Sequence, residues 1–227
     1  MTKITFWNLQ RMGAGTDNDR RQAILTTIES LEPDVQLYCE LTTASEFPLQ
    51  QNLTYRRQAV RQLCYAALDK EADITLTRVT PTATAAYRNA GFAGGNNFTK
   101  LASRALAYVD VFDGVSVYLF HAPASNDRAQ MVMSFIATAL DEHPDPWLVL
   151  GDFNIEPAEL KNVSARGIDI DPLIHNSGNA TFARDAKRKE YDYALASRGM
   201  NVTVKSDPDC SWFTNKISDH GWISVEF

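Results

Sequence analysis

Residues 147–157 read Trp147-Leu148-Val149-Leu150-Gly151-Asp152-Phe153-Asn154-Ile155-Glu156-Pro157, WLVLGDFNIEP. Four apolar residues in succession predict a strand buried on both faces. Gly151 permits either a sharp departure of the backbone or a close approach by another segment. Asp152 and Asn154, one residue apart, point the same way from extended backbone. Such a pair at the end of a buried strand is either a turn cap or half of a phosphate or metal site, and the rest of the chain has to discriminate.

Working outward, the same pattern recurs: an apolar strand that ends on a polar residue. Ile4 to Asn8 predicts a strand ending on Asn8, and Val35 to Glu40 a second ending on an acid. Between them Asp17 or Asp19 caps a helix that carries Ile24, Ile28 and Leu31 at helical spacing and stops at Pro33. RALAYVDVF and VSVYLFHA, joined by Asp113-Gly114, predict a hairpin whose second strand ends on His121. A helix is expected from Asn126 or Asp127 through Leu140. NATFA, EYDYALAS, MNVTVKS and GWISVEF predict short strands, with Asp192 inside the second and Asp219-His220 just before the last. Residues 41–103 offer strand-like pieces near 62–68 and 72–79, then a surface loop rich in Ala, Thr, Gly and Asn. Strands outnumber helices, which predicts two packed sheets with helices outside, an α/β or α+β sandwich in one domain.

The bulk numbers narrow the function classes. A chain of 227 residues, 44% hydrophobic and 22% charged, buries a sizeable core. No apolar run approaches the ~20 residues needed to span a bilayer. MTKITFWNLQ has no apolar signal-peptide core, so the expectation is a cytoplasmic protein unless a signal-independent route exports it as an effector. The three cysteines, Cys39, Cys64 and Cys210, are scattered without CxxC spacing, against a zinc site or disulfide framework. A net charge of −6 opposes passive nucleic-acid binding but suits an enzyme that gathers acids around a cation.

Each polar strand end has a bland reading. A lone Asn or Asp there is usually a turn residue, and a lone strand His usually packs. Asp192 resists it, because a carboxylate inside an apolar strand is costly without a partner. Together the residues suit phosphodiester hydrolysis. Glu40 and Asn8 supply hard oxygens to a divalent cation, which offsets charge on the phosphate. His220 serves as general base with Asp192 as its partner. Asp152 orients the water, Asn154 donates to a phosphate oxygen, and His121 stabilises or protonates the leaving group.

GDFN, a later SDH and an intervening DYA, in this order, resemble the endonuclease/exonuclease/phosphatase superfamily, the deoxyribonuclease-I-like fold. Within it the catalytic subunits of cytolethal distending toxins are most similar, through TFWNLQ, HAPASNDRA, GDFNIEP and NATFARDAKRKEYDYAL. The resemblance runs over essentially all of residues 1–227. It implies a four-layer α/β/β/α sandwich of two mostly antiparallel sheets and Mg²⁺-dependent cleavage of DNA, with Mn²⁺ or Ca²⁺ as alternative ions. It assigns Asn8, Glu40 and Asp219 to the metal, and His121, Asp152, Asn154, Asp192 and His220 to catalysis. Arg104 matches a phosphate-contacting arginine loosely and reads equally as a surface residue. The glutamine usual before the metal-binding Glu is replaced by Cys39.

The acidic total hides basic clusters, among them Arg184, Lys187, Arg188 and Lys189 just before Asp192. Lys187, Arg188 and Lys189 are candidate contacts to a phosphate backbone. The expected activity is an endonuclease of little sequence preference, acting on DNA as a monomer without stable membrane association. The competing readings are a phosphatase or phosphodiesterase for a phosphoinositide, sphingomyelin or another small phosphoester, and a catalytically dead binding module.

Overall fold

The apolar run forms the strand on which one sheet is built. In the computed structural model, which describes residues 1–12, 17–41, 107–122, 146–161 and 173–227, strand β5 (Trp147–Asp152) is buried at every position. It lies between β4 (Val115–His121), which is parallel to it, and β9 (Asp192–Ala196), which is antiparallel. A strand hemmed in on both edges and both faces has no side chain directed at water, which is why its sequence does not alternate. With β3 (Ala107–Phe112) and β6 (Ile174–His175) the sheet order is β3-β4-β5-β9-β6. The β3–β4 turn is the expected one: Asp113 and Gly114 both have positive φ, 48° and 80°, as a type I′ turn requires.

The other sheet is built on β1 (Lys3–Met12), flanked by β2 (Val35–Leu41) in parallel and β11 (Trp222–Glu226) antiparallel. Beyond β11 lies the edge strand β10 (Thr203–Ser206), whose exposure alternates along the chain. Helix α1 (Asn18–Ser30) connects β1 to β2. Asp17 starts it, accepting the Asp19 amide on Oδ1 and the Arg21 amide on its carbonyl, and the helix ends before Pro33. Its Ile24 and Ile28 are fully buried. β1 packs on β5 and β11 on β9, so the two sheets face each other around Ile4, Phe6, Leu148, Leu150 and Val225. The two mixed sheets, mostly antiparallel in their pairings, make the predicted sandwich.

Several elements were not foreseen. The charge run near residue 187 is a strand, β8 (Lys187–Lys189), which makes a hairpin with β7 (Phe182–Arg184), the strand expected from NATFA. Lys187-Arg188-Lys189 has no apolar alternation because no position in it is buried. Two single-turn helices, α2 (Pro157–Leu160) and α3 (Ser211–Thr214), are too short to show a period. The expected helix at 126–140, the strand pieces near 62–68 and 72–79 and the loop that follows lie outside the described residues. Among the described residues no helix is long and apolar enough to cross a membrane.

Of the two possibilities at Gly151, close approach is the one realised. Gly151 pairs with Phe120 of β4, and a Cβ there would stand 1.7 Å from the Phe120 carbonyl oxygen. That obstacle is backbone and cannot rotate away. Gly178, by contrast, has φ of +77° and open space around it, so an alanine there costs only the left-handed strain of about 1–2 kcal/mol. Gly151→Ala is expected to lose more unfolding free energy than Gly178→Ala, about 3 kcal/mol, the upper end for overpacked cores, or to prevent folding. Equal losses in urea denaturation would show that β4 and β5 are not so closely apposed.

Candidate active site

Register brings the polar strand ends together. His121 closes β4 opposite Asp152 at the end of β5, and Asp152 is opposite Asp192 at the start of β9. Asn8 reaches them from the facing sheet. Its Nδ2 donates to Asp152 Oδ2 at 3.0 Å. The same oxygen lies 3.5 Å from His121 Nε2 and 3.6 Å from His220 Nε2, ion-pair distances rather than direct hydrogen bonds. The other oxygen, Oδ1, accepts the Asn154 backbone amide at 2.9 Å. Asp152 is therefore a turn cap through Oδ1, while Oδ2 faces Asn8, His121 and His220. Asn154 sits at φ 50°, which Asn tolerates, and its Nδ2 donates to the Ala122 carbonyl at 2.9 Å. One N–H of that amide thus holds the segment after β4, a role the sequence did not suggest.

His220 lies on the opposite side of Asp152. Its Nδ1 donates to Asp192 Oδ2 at 2.9 Å, and the imidazole bridges two carboxylates buried to 1% and 0% exposure. The chain around it is stitched to the β1 exit. Trp7 Nε1 donates to the His220 carbonyl at 2.8 Å, and Ser218 Oγ donates to the Asn8 carbonyl at 3.1 Å. The Asp219 amide donates to Gln10 Oε1 at 3.1 Å. Arg20 of α1 donates to the carbonyls of Leu9 and Ile217, clamping both segments. Thr181 Oγ1 accepts the amides of Tyr191 and Asp192, at 3.0 and 2.8 Å, and fixes the start of β9. Trp7, Ser218, Gln10, Arg20 and Thr181 were not identified from sequence. Ser218, directly before Asp219-His220, Trp7 and Gln10, within TFWNLQ, and Thr181, within NATFA, stood beside signals, whereas Arg20 did not.

Burial dominates the electrostatics of the carboxylates. It pushes Asp152 and Asp192 above the usual carboxylate range, against the pull of His220. Burial alone would pull His220 down. The Asp192 and Asp152 carboxylates outweigh it and push the ring up to about 10. The two carboxylates thus favour the charged form of the ring.

Asp192, Asp152 and His220 offer ligand atoms within 4.8 Å of one another, a set able to hold a metal. The imidazole already spans the gap between these carboxylates, however, and a cation placed there would displace it. Asn8 presents Nδ2 to Asp152, and its Oδ1 accepts the Gln10 amide at 3.0 Å. Glu40 follows Cys39, which pairs with Asn8 in the parallel β1–β2 ladder, so its backbone stands at that edge. The Glu40 side chain is outside what the structure describes, as is Arg104. Asp219 Oδ2 accepts from Arg184 Nη2 at 2.6 Å. Among the basic candidates, Lys189 is bonded to Glu156, Arg188 stacks on Phe213 at 4.5 Å, and Lys187 is exposed.

A sequence model of the Endonuclease/Exonuclease/phosphatase family matches residues 5–220. No curated protein matches the chain. D. rerio TDP2 complexed with single strand DNA product is similar over 100% of this chain and 99% of its own, at 16% identity and a TM-score of 0.55. An AP endonuclease from Archaeoglobus fulgidus is similar over the same shares, at 14% identity and a TM-score of 0.52. The Haemophilus ducreyi cytolethal distending toxin matches at 20% identity over 53% of this chain, with a TM-score of 0.39. The match covers 51% of the toxin chain, so this chain spans about half of the toxin length. The full-length likenesses bear out the deoxyribonuclease-I-like fold expected from the sequence.

The protonated ring has a consequence for stability. A group whose folded pKa is raised contributes stability in full below its unfolded value, about 6.5 for histidine, and loses it as pH rises through the folded value. Raised carboxylates act in the same direction at lower pH. In EDTA the Tm is expected to fall between pH 8 and about 10, and to fall less in His220→Gln. A wild-type Tm that holds level or rises over that interval would contradict the imidazolium.

Proposed function

We propose that this chain, which belongs to the endonuclease/exonuclease/phosphatase family, is a divalent-metal-dependent endonuclease that hydrolyses DNA phosphodiester bonds with little sequence preference. The observation that carries the reading is His220 held between Asp192 and Asp152, with Nδ1 committed to Asp192 and Nε2 turned toward Asp152. That geometry suits activation of a water. Asp192 fixes the ring and the tautomer, so that Nε2 is the nitrogen that takes the proton of a water also hydrogen-bonded to Asp152 Oδ2. Base catalysis is confined to the fraction of enzyme whose imidazole is neutral. His121, on the other side of the same oxygen, is placed to protonate or stabilise the departing oxygen. Asn8 holds Asp152 in position, and the N–H of Asn154 Nδ2 that has no partner among the described residues is offered to a phosphate oxygen.

Glu40 and Asn8, with Asp219 as a further oxygen, would hold the cation, Mg²⁺ in the first instance, and it would offset charge on the phosphate. DNA as substrate is supported by the basic hairpin beside the site and by relatives described as a DNA complex and an AP endonuclease.

Nicking of supercoiled plasmid tests this directly. Wild type is expected to convert it to open circles with Mg²⁺ and not with EDTA, and His220→Ala to be slower by roughly 10²–10⁴-fold. Mg²⁺-dependent nicking at an undiminished rate in His220→Ala would refute the assigned base. Absence of nicking by folded wild type would move the substrate to lipid or small phosphoesters.

A further inference from the structure

The β7–β8 hairpin is divided by its register. Residues directly opposed in an antiparallel pair share a face, and the pairs are Phe182 with Lys189, Ala183 with Arg188, and Arg184 with Lys187. Phe182, Arg184, Lys187 and Lys189 therefore lie on one face, and Ala183 and Arg188 on the other. The first face belongs to the active site: the Phe182 ring is 4.9 Å from that of His220, centre to centre, and its backbone bridges to His220. Arg188, on the second face, is spent on Phe213 of α3.

Arg184 is the cation best aimed at the site. Its Nη2 donates to Asp219, the neighbour of His220, and its guanidinium carbon stands 5.7 Å from the centre of the Phe182 ring. Its side chain is nevertheless 64% exposed, and Nε and Nη1 have no partner among the described residues. A guanidinium has five N–H donors in a fixed fork, so most of the fork is open to solvent. An exposed salt bridge contributes only about 0–1 kcal/mol. Holding the arginine here thus adds little stability. What Asp219 and Phe182 contribute is orientation of a planar, phosphate-matching group. Lys189, by contrast, is bonded to Glu156.

We propose that Arg184, aimed by Asp219 and the Phe182 ring, binds a phosphodiester neighbouring the one that is cleaved, so that the enzyme acts on a strand in preference to an isolated diester. Lys187, opposite Arg184 on the same face, extends the subsite. The inference rests on the phosphodiesterase reading above and adds the subsite that selects the substrate.

The test compares a short oligothymidylate with thymidylyl thymidine, which has a single phosphodiester and no neighbour. Wild type should cleave the oligomer with the higher kcat/KM. Arg184→Ala should raise KM for the oligomer about 10- to 100-fold, as loss of a charged hydrogen bond does, a larger loss than on the dinucleoside. Arg184→Lys should recover part of the loss. An unchanged KM for the oligomer, or equal losses on both substrates, would overturn the Arg184 subsite alone. So would a wild type that cleaves the two substrates equally well. A folded wild type inert on both would overturn the phosphodiesterase reading and the subsite with it.

Discussion

The site depends on one buried carboxylate. Asp152 ends a strand buried at every position, and an ionised acid there is costly unless donors surround it. They come from several segments: the Asn154 amide on one oxygen, and Asn8, His121 and His220 around the other. Asn8 belongs to the facing sheet and His220 to the segment that enters its last strand. Satisfying Asp152 therefore requires both sheets in register. Fold and site specify each other at this point, and a partly satisfied network in such a place is worse than an apolar core.

Gly151 is the backbone condition for that arrangement. A strand carrying a side chain at this position could not lie against Phe120, and the pairing of His121 with Asp152 would be lost with it. On the far side, hydrogen bonds from Trp7, Ser218 and Arg20 hold the His220 segment to the β1 exit. These partners touch no reacting group. They fix the distance between His220 and Asp152, the quantity on which proton transfer depends.

Much of this was legible in the sequence because its signals are local. WLVLGD announced a doubly buried strand, Asp113-Gly114 a hairpin, and Asp17 and Pro33 the ends of α1. Asp192 declared itself as a carboxylate in an apolar strand. The residues that escaped have no local signal. Arg20 is one charge among several at a helix start, and its partners Leu9 and Ile217 are visible only once the chain has folded. Strand β8 escaped because it is charged, exposed and does not alternate, so that of the hairpin only β7, within NATFA, was expected. Its register separates Arg188 from Lys187 and Lys189, which as a run had seemed equivalent. Arg184 had looked like one more cation of that run until its place beside Asp219 and Phe182 was visible.

The central claim is that two buried carboxylates hold His220 between them and raise its pKa above the ordinary histidine value. NMR of the histidine ring nitrogens in the metal-free protein measures it most directly. The account predicts that at pH 8 both nitrogens of His220 carry protons, with the Nδ1 proton protected by Asp192, and that the ring titrates near pH 10. A ring already neutral at pH 8, titrating near the ordinary histidine value of about 6.5, would contradict it.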